Sequence, residues 1–258
     1  MKLSNPAILL LTSILILSVV VVNTHARMPS LQMDMVKEMV LIPAGKFKRG
    51  CDEFGLEHGA PSHTVYLDDF FVDKYEVTNR QFEKIIPEHE SRRSTLSGCD
   101  DCPVSKVTWY DAADYCYLTG KSLPTEAQWE KAAGGASGCE FPWGPQFDPL
   151  HPMAHGGLKL RDKTSAVGSY PPNKYGLYDM AGNLWEWTAD WYGPYISTGE
   201  TMLNPKGPKS GIMKVRRGGA WSDSIKAMAV GYRDWSYPQS RSLNDVGFRC
   251  VVNMISSK

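Results

Sequence analysis

The chain lacks an excess of either charge: 28 Lys+Arg are matched by 28 Asp+Glu over 258 residues. A neutral balance gives no general attraction to DNA, RNA or anionic lipid, and it excludes a highly charged disordered chain. No internal repeat and no long low-complexity run occurs, and there is no P-loop, dinucleotide fingerprint or G-x-S-x-G. No Cys occurs between Cys139 and Cys250. What the chain does hold is 8 Trp, 12 Tyr, 23 Gly and 17 Pro, with 42% apolar residues. That mixture supplies a real core and points to a loop-rich domain with aromatic anchors, not a helical bundle.

The N-terminus reads as a targeting segment. Lys2 is the only Lys or Arg before Arg27, and Ala7 to Val22 is apolar except for Thr12, Ser13 and Ser18. Thr24 and Ala26 are small enough for cleavage after Ala26. The alternative is an uncleaved anchor, for which the run is slightly short of the roughly 20 residues that span a bilayer. Residues 1–26 are therefore a signal peptide or anchor, 27–37 a linker, and 38–254 the domain. Export to a periplasmic or extracellular compartment follows either way, with membrane contact only if the segment is kept.

All six cysteines, Cys51, Cys99, Cys102, Cys116, Cys139 and Cys250, lie in the exported part. An even count in an oxidising compartment reads as disulfides. Cys99 and Cys102 form a C-x-x-C, but no matching second ligand pair for zinc is present. Asp100 and Asp101 between the thiols work against a reactive thiolate.

Met39 to Gly45 reads as a strand broken by Pro43 and Gly45, and His63 to Val72 as another strand. Thr78 caps a first helix with Phe82, Ile85 and Ile86 on one face, ended by Pro87. Residues 88–102 read as a surface loop. A second helix starts near Thr108 and ends at Gly120, with Trp109, Ala112, Ala113, Cys116 and Tyr117 inward. A third follows Pro124, capped by Thr125. Residues 134–173 form a long Gly- and Pro-rich connection of the kind that is functional or tied down. Short strands are expected at 184–188 and 214–217, and a buried final strand at 246–252.

Seven blocks, in order over about residues 38–252, resemble the formylglycine-generating enzyme family, also called the sulfatase-modifying-factor family. They are Met39-Val-Leu-Ile-Pro-Ala-Gly45, Asp73-Lys-Tyr-Glu-Val-Thr-Asn79 and Pro103 to Trp109, which continues through Tyr115-Cys116 to Leu123-Pro-Thr-Glu-Ala-Gln-Trp-Glu130. Phe141-Pro-Trp-Gly144 and Tyr175 to Thr188 follow, then Arg217-Gly-Gly-Ala-Trp221 and Gly247-Phe-Arg-Cys250. The resemblance implies a single irregular α+β domain related to C-type lectins. It also implies a Cys116–Cys250 disulfide, and leaves Cys51, Cys99, Cys102 and Cys139 unassigned.

The family's enzymes oxidise a sulfatase cysteine to formylglycine with copper and oxygen, holding the copper with two thiolates after the Gly-Gly of the Arg217 block. Soft thiolates suit cuprous ion. Here the family spacing puts Asp223 and Met228 at the thiolate positions, and Ala220 where a Ser hydroxyl is needed. Copper is not expected, and no catalytic residue is assigned. A family calcium site maps onto Asp179 and Glu186 by side chain and Gly182 and Leu184 by carbonyl, a donor mixture calcium accepts. A second calcium position, near Ala154-His155-Gly156, carries His where Asn is needed and is not expected to bind. His151 and His155 sit four apart, but Pro152 and Gly156 argue against a helical metal pair. The expected function is an exported binding or accessory module acting on a protein or peptide. Its rivals are an enzyme of the same family with a different metal or site, and a structural subunit of an envelope complex.

Overall fold

Three threonines start the three α-helices found among the described residues. The computed structural model describes residues 36–52, 58–134, 139–145, 162–241 and 243–254. The apolar N-terminal run and the His151/His155 region lie outside these. No helix among the described residues is long and apolar enough to cross a membrane. Thr78, Thr108 and Thr125 cap α1 (Asn79–Glu83), α2 (Trp109–Leu118) and α3 (Glu126–Ala133). Each hydroxyl accepts the backbone N–H three residues on, and each third residue (Gln81, Asp111, Gln128) reaches back to the cap. These reciprocal bonds satisfy helix-end donors that would otherwise be orphaned.

Among the described residues, ten short strands make three sheets. β1 (Met39–Ile42), β4 (Phe70–Asp73) and β10 (Val251–Asn253) form an antiparallel sheet in the order β1-β4-β10. β2 (Gly45–Arg49), β3 (His63–Leu67) and β6 (Met202–Leu203) form a second, in which β3 pairs β6 in parallel. The third runs β8-β7-β5-β9, with β5 Trp185–Trp191, β7 Lys214–Arg217, β8 Asp234–Ser236 and β9 Val246–Gly247. Three expectations about secondary structure need correction. The His63–Val72 run is two strands, because Asp68 and Asp69 separate β3 from β4. The final strand is likewise divided, since Phe248–Cys250 leave the ladder between β9 and β10. Residues 88–102 are more ordered than a plain surface loop. A 3-10 helix spans Pro87–Arg92, and His89, Ser94 and Ser97 are buried.

The core falls into two apolar groups. One gathers Phe82, Val107, Cys116, Trp185, Trp187 and Phe248; the other gathers Ile42, Val65, Phe70, Trp129, Leu177 and Met180. On α2 the inward residues are Ala112, Tyr115 and Cys116. Tyr117, expected inward, is 79% exposed. One residue past Cys116 turns it about 100° away from the core. The described cysteines are joined as Cys116–Cys250, Cys51–Cys139 and Cys99–Cys102. Cys116–Cys250 fastens α2 to the segment leading into β10, and Cys51–Cys139 ties the long 134–173 connection to the end of β2.

Every residue of α3 is buried, including Glu126, Gln128, Glu130 and Lys131. The four-residue spacing puts Glu126 and Glu130 on one face. Glu126 accepts from Arg49 (2.7 Å), Arg217 (2.5 Å) and Arg233 (2.6 and 2.9 Å). Glu130 accepts from the Gly50 amide (2.6 Å) and Arg217 (2.9 Å). The Tyr195 hydroxyl donates to both. Burial pushes the Glu126 carboxyl up, but Arg233, Arg49 and Arg217 together hold it well below the usual carboxylate range. Lys131 donates to the carbonyls of Pro43 and Gly45, which fixes the β1–β2 corner.

Removing one member of a buried charge network strands its partners, at about 3–5 kcal/mol. Glu126→Gln is expected to lose about that much in denaturant unfolding. Asp101→Asn, which breaks the exposed pair with Arg80, should lose no more than about 1 kcal/mol. Equal losses would remove the special standing of α3. The pH profile follows from opposite shifts. Burial raises Asp179 and Asp190 to about 6, so their contribution is full below about pH 4 and is lost as pH rises through 6. The depressed Glu126 contributes above the ordinary carboxylate range and loses that contribution in stronger acid. Thermal melts in calcium-free buffer should therefore show maximum stability between about pH 4 and 6.

Candidate functional site

The segment after β7 turns on two glycines. Gly218 (φ +100) and Gly219 (φ +72) take backbone conformations that side chains rarely adopt. A Cβ on Gly218 would also stand 3.1 Å from the Trp129 ring, and one on Gly219 3.1 Å from the Ala227 backbone. The turn delivers Ala220 and Asp223 to the Trp185 indole. Trp185 Nε1 donates to Asp223 Oδ2 at 2.7 Å, and the Ala220 amide donates to the same oxygen at 3.0 Å. Asp223 N in turn donates to the Ala220 carbonyl at 3.0 Å. Burial raises the Asp223 pKa, and the negative charge of Asp245 adds to it. Met228 ends a 3-10 helix, Ile225–Met228, and is 1% exposed.

Around this point stand Tyr232, its ring centre 6.0 Å from Trp185, and Arg216, whose guanidinium carbon lies 5.0 Å over the same indole. Arg216 pairs with Asp234 at 2.8 Å and faces Asp245 at 3.9 Å. Its Nε and Nη1, and Trp221 Nε1, have no hydrogen-bond partner. The structure thus brings Ala220 and Asp223 together, as the sequence placed them. Copper does not fit here. The six cysteines are all in disulfides, so no thiolate is available, and a carboxylate held by an indole N–H is a hard donor. The arrangement can hydrogen-bond and stack.

The second mapped position is the loop leading into β5. Asp179 (φ 56), Gly182 (φ 77) and Asn183 (φ 59) are left-handed and coil the chain tightly. Asp179 accepts the Gly168 amide at 2.7 Å. Glu186 is not poised over this loop as an open ligand. Its Oε1 accepts from Arg249 Nε and Nη2 at 3.0 and 2.6 Å. Its Oε2 accepts from Arg249 Nε and from Trp129 Nε1, both at 2.8 Å. Glu76, which sequence reasoning missed, accepts from Asn183 Nδ2 at 2.6 Å and from the Leu184 amide at 3.1 Å. Three carboxylates thus surround one guanidinium. Glu76 is raised well above its usual range by burial and then by Asp179 and Glu186. In charge and donor type, Asp179 with the carbonyls of Gly182 and Leu184 suits a hard cation; Glu186 is already committed to Arg249. Among the described residues no group of three or more His, Cys, Asp or Glu is arranged to hold a metal. The residues missed most completely are Arg49, Glu126, Glu130 and Arg233. The one available signal was the pair of glutamates four apart in an otherwise Ala- and Trp-lined helix.

The chain matches the sulfatase-modifying factor enzyme 1-like domain over residues 24–254. It is 37% identical over 245 residues to the serine/threonine-protein kinase pkn1 of Chlamydia pneumoniae, covering 85% of this chain and 38% of that protein. The chain thus spans well under half the length of that relative. It is 32% identical over 281 residues to the formylglycine-generating enzyme of Bos taurus, covering 84% and 75% of the two chains. Among solved structures it resembles Treponema denticola variable protein 1, with a TM-score of 0.71 and 27% identity over 84% of this chain and 95% of that one. These likenesses agree with an irregular α+β, C-type-lectin-like architecture. With nearly the whole described chain matched, the protein belongs to the sulfatase-modifying factor enzyme 1-like domain family.

Proposed function

We propose that this protein is an exported binding or accessory module of its family, engaging a protein or peptide through the surface around Asp223, and not a copper-dependent formylglycine-generating oxidase. One observation carries the reading. The carboxylate at the first thiolate position is spent on the Trp185 indole and the Ala220 amide, while every cysteine is in a disulfide. The scaffold is kept, and the redox ligands are replaced by a hydrogen-bonded structural contact. Three disulfides support an oxidising compartment.

Export predicts a mature N-terminus near Arg27 and recovery outside the cytosol; N-terminal sequencing of fractionated protein checks this. An intact N-terminus in the cytosolic fraction would overturn it. Purified mature protein incubated with copper should retain no stoichiometric metal. It should consume no oxygen above blank with a Cys-containing peptide. Stoichiometric copper together with peptide oxidation would instead support the enzyme reading.

Calcium belongs to the same reading as a structural ion in the 179–186 loop, held by Asp179 and the carbonyls of Gly182 and Leu184, with Glu186 kept on Arg249. Binding to the folded state alone raises stability with ligand concentration. Glu186→Gln does not isolate this effect, because it also unpairs the buried Arg249. Asp179→Gly does: it removes the carboxylate and accepts the left-handed backbone. Chelation should lower the melting temperature of the wild type and leave that of Asp179→Gly unchanged. Identical wild-type melts with and without millimolar calcium would leave Asp179 as a hydrogen-bonded loop carboxylate only.

A further inference from the structure

The three disulfides differ in burial and in the length of chain they close. Cys116 and Cys250 are fully buried and lie 134 residues apart. Cys51 is buried too, and Cys139 lies 88 residues from it. Cys99 and Cys102 are only 3 apart, and Cys99 is exposed while Cys102 is buried. In the chain-entropy account a crosslink constrains the unfolded chain more as its loop lengthens, so Cys99–Cys102 contributes least to holding the fold. An exposed disulfide is also the more readily exchanged kind, and here only the Cys99 side is open to an incoming thiolate.

Hydrogen bonds hold this segment in place without help from sulfur. The Cys102 amide donates to the Cys99 carbonyl at 3.1 Å. The carbonyls of Cys102 and Asp100 accept the Asn79 and Arg80 amides, both at 3.0 Å. Asn79 Nδ2 donates to the carbonyls of Ser97 at 2.7 Å and Cys99 at 2.8 Å. The Val167 amide donates to the Asp101 carbonyl at 2.9 Å. With the disulfide opened, these bonds keep residues 99 and 102 close, so the same pair can re-form.

Asp100 and Asp101 are the feature that argues against a reactive thiolate in the sequence. In the structure both are met by cations. Asp100 accepts from Arg93 at 2.8 Å and faces Arg80 at 3.3 Å, and Asp101 accepts from Arg80 at 3.2 Å. Arg93 is shared with Glu83. The hydrogen bond from Arg93 and the charge of Arg80 hold the Asp100 carboxyl below its usual range. The repulsion that two bare carboxylates would exert on a thiolate is thereby offset.

We propose that Cys99–Cys102 is a thiol–disulfide exchange site, with Cys99 as the sulfur that a substrate thiolate attacks. The substrate sulfur bonds to Cys99 Sγ, the Cys99–Cys102 bond breaks, and Cys102 leaves as a thiolate. A second substrate thiolate then attacks the substrate sulfur of that mixed disulfide, releasing a substrate disulfide and the Cys99 thiolate. Two thiols are oxidised, the cysteine pair takes up their two electrons, and the two thiol protons end on Cys99 and Cys102. No residue of this site takes part in the contacts around Asp223, so the proposal does not rest on the reading of that surface.

The test holds mature wild-type protein in buffers of graded thiol-to-disulfide ratio, followed by alkylation and peptide mapping. One series uses glutathione and its disulfide, the other a Cys-containing peptide and its disulfide; the faster thiol tells a free substrate from a peptide-borne one. Cys99 and Cys102 should open at a ratio at least about tenfold less reducing than the other two disulfides require, and should rejoin each other when the oxidised partner is restored. Cys102→Ser should take up glutathione from its disulfide at Cys99 at least about tenfold faster than Cys99→Ser does at Cys102. The proposal is overturned if the three disulfides open together, if Cys99 and Cys102 rejoin other partners, or if the two variants react at equal rates.

Discussion

Burial of the two glutamates of α3 is the constraint on which the rest of the structure depends. An ionised carboxylate inside a protein is tolerated only when cations and hydrogen bonds replace its water. Here the cations arrive from three places: Arg49 at the end of β2, Arg217 at the end of β7 and Arg233 just before β8. Each strand must reach α3 in one register for its guanidinium to meet a carboxylate. The network therefore fixes the second and third sheets relative to a single eight-residue helix. Trp129, on that same helix, extends the link to the first sheet region by donating to Glu186, which holds Arg249 just before β10.

This arrangement explains how the family scaffold persists without the copper ligands. Arg217 is fully buried in the network, and the Gly218-Gly219 turn begins at the next residue. The path of the chain to Ala220 and Asp223 is set by Arg217 and by close packing on Trp129, not by any ligand at positions 223 and 228. A thiolate pair there would be a passenger on the fold. With Asp223 at the first of these positions, an indole–carboxylate hydrogen bond holds the turn against Trp185.

The loop at 179–186 follows the same electrostatic rule with a different outcome. Glu76, Asp179 and Glu186 outnumber Arg249, so protons or a divalent cation must make up the deficit. Burial sharpens both choices, because it raises the cost of leaving the carboxylates charged and alone. At Asp223 the same cost is met by two N–H donors. Hydrogen bonding thus does locally what metal ligation does elsewhere in such folds.

The local elements were legible in the sequence. Thr78, Thr108 and Thr125 mark their helices because a capping hydroxyl is a short-range device, and the start of β5 follows from the aromatic alternation of Trp185 and Trp187. The missing thiolates were legible as well, since the absence of Cys between Cys139 and Cys250 is a fact of covalent order. So was Cys116–Cys250, through family resemblance. What only the tertiary structure decided was which distant groups meet. Glu126 finds Arg217 and Arg233 across 91 and 107 residues, and Glu186 finds Arg249 across 63. The pairings of Cys51 with Cys139 and of Cys99 with Cys102 were decided there too. Helix caps and strand propensities act over three or four residues. Charge pairing in a buried core depends on how several sheets pack at once, and no short window of sequence contains that information.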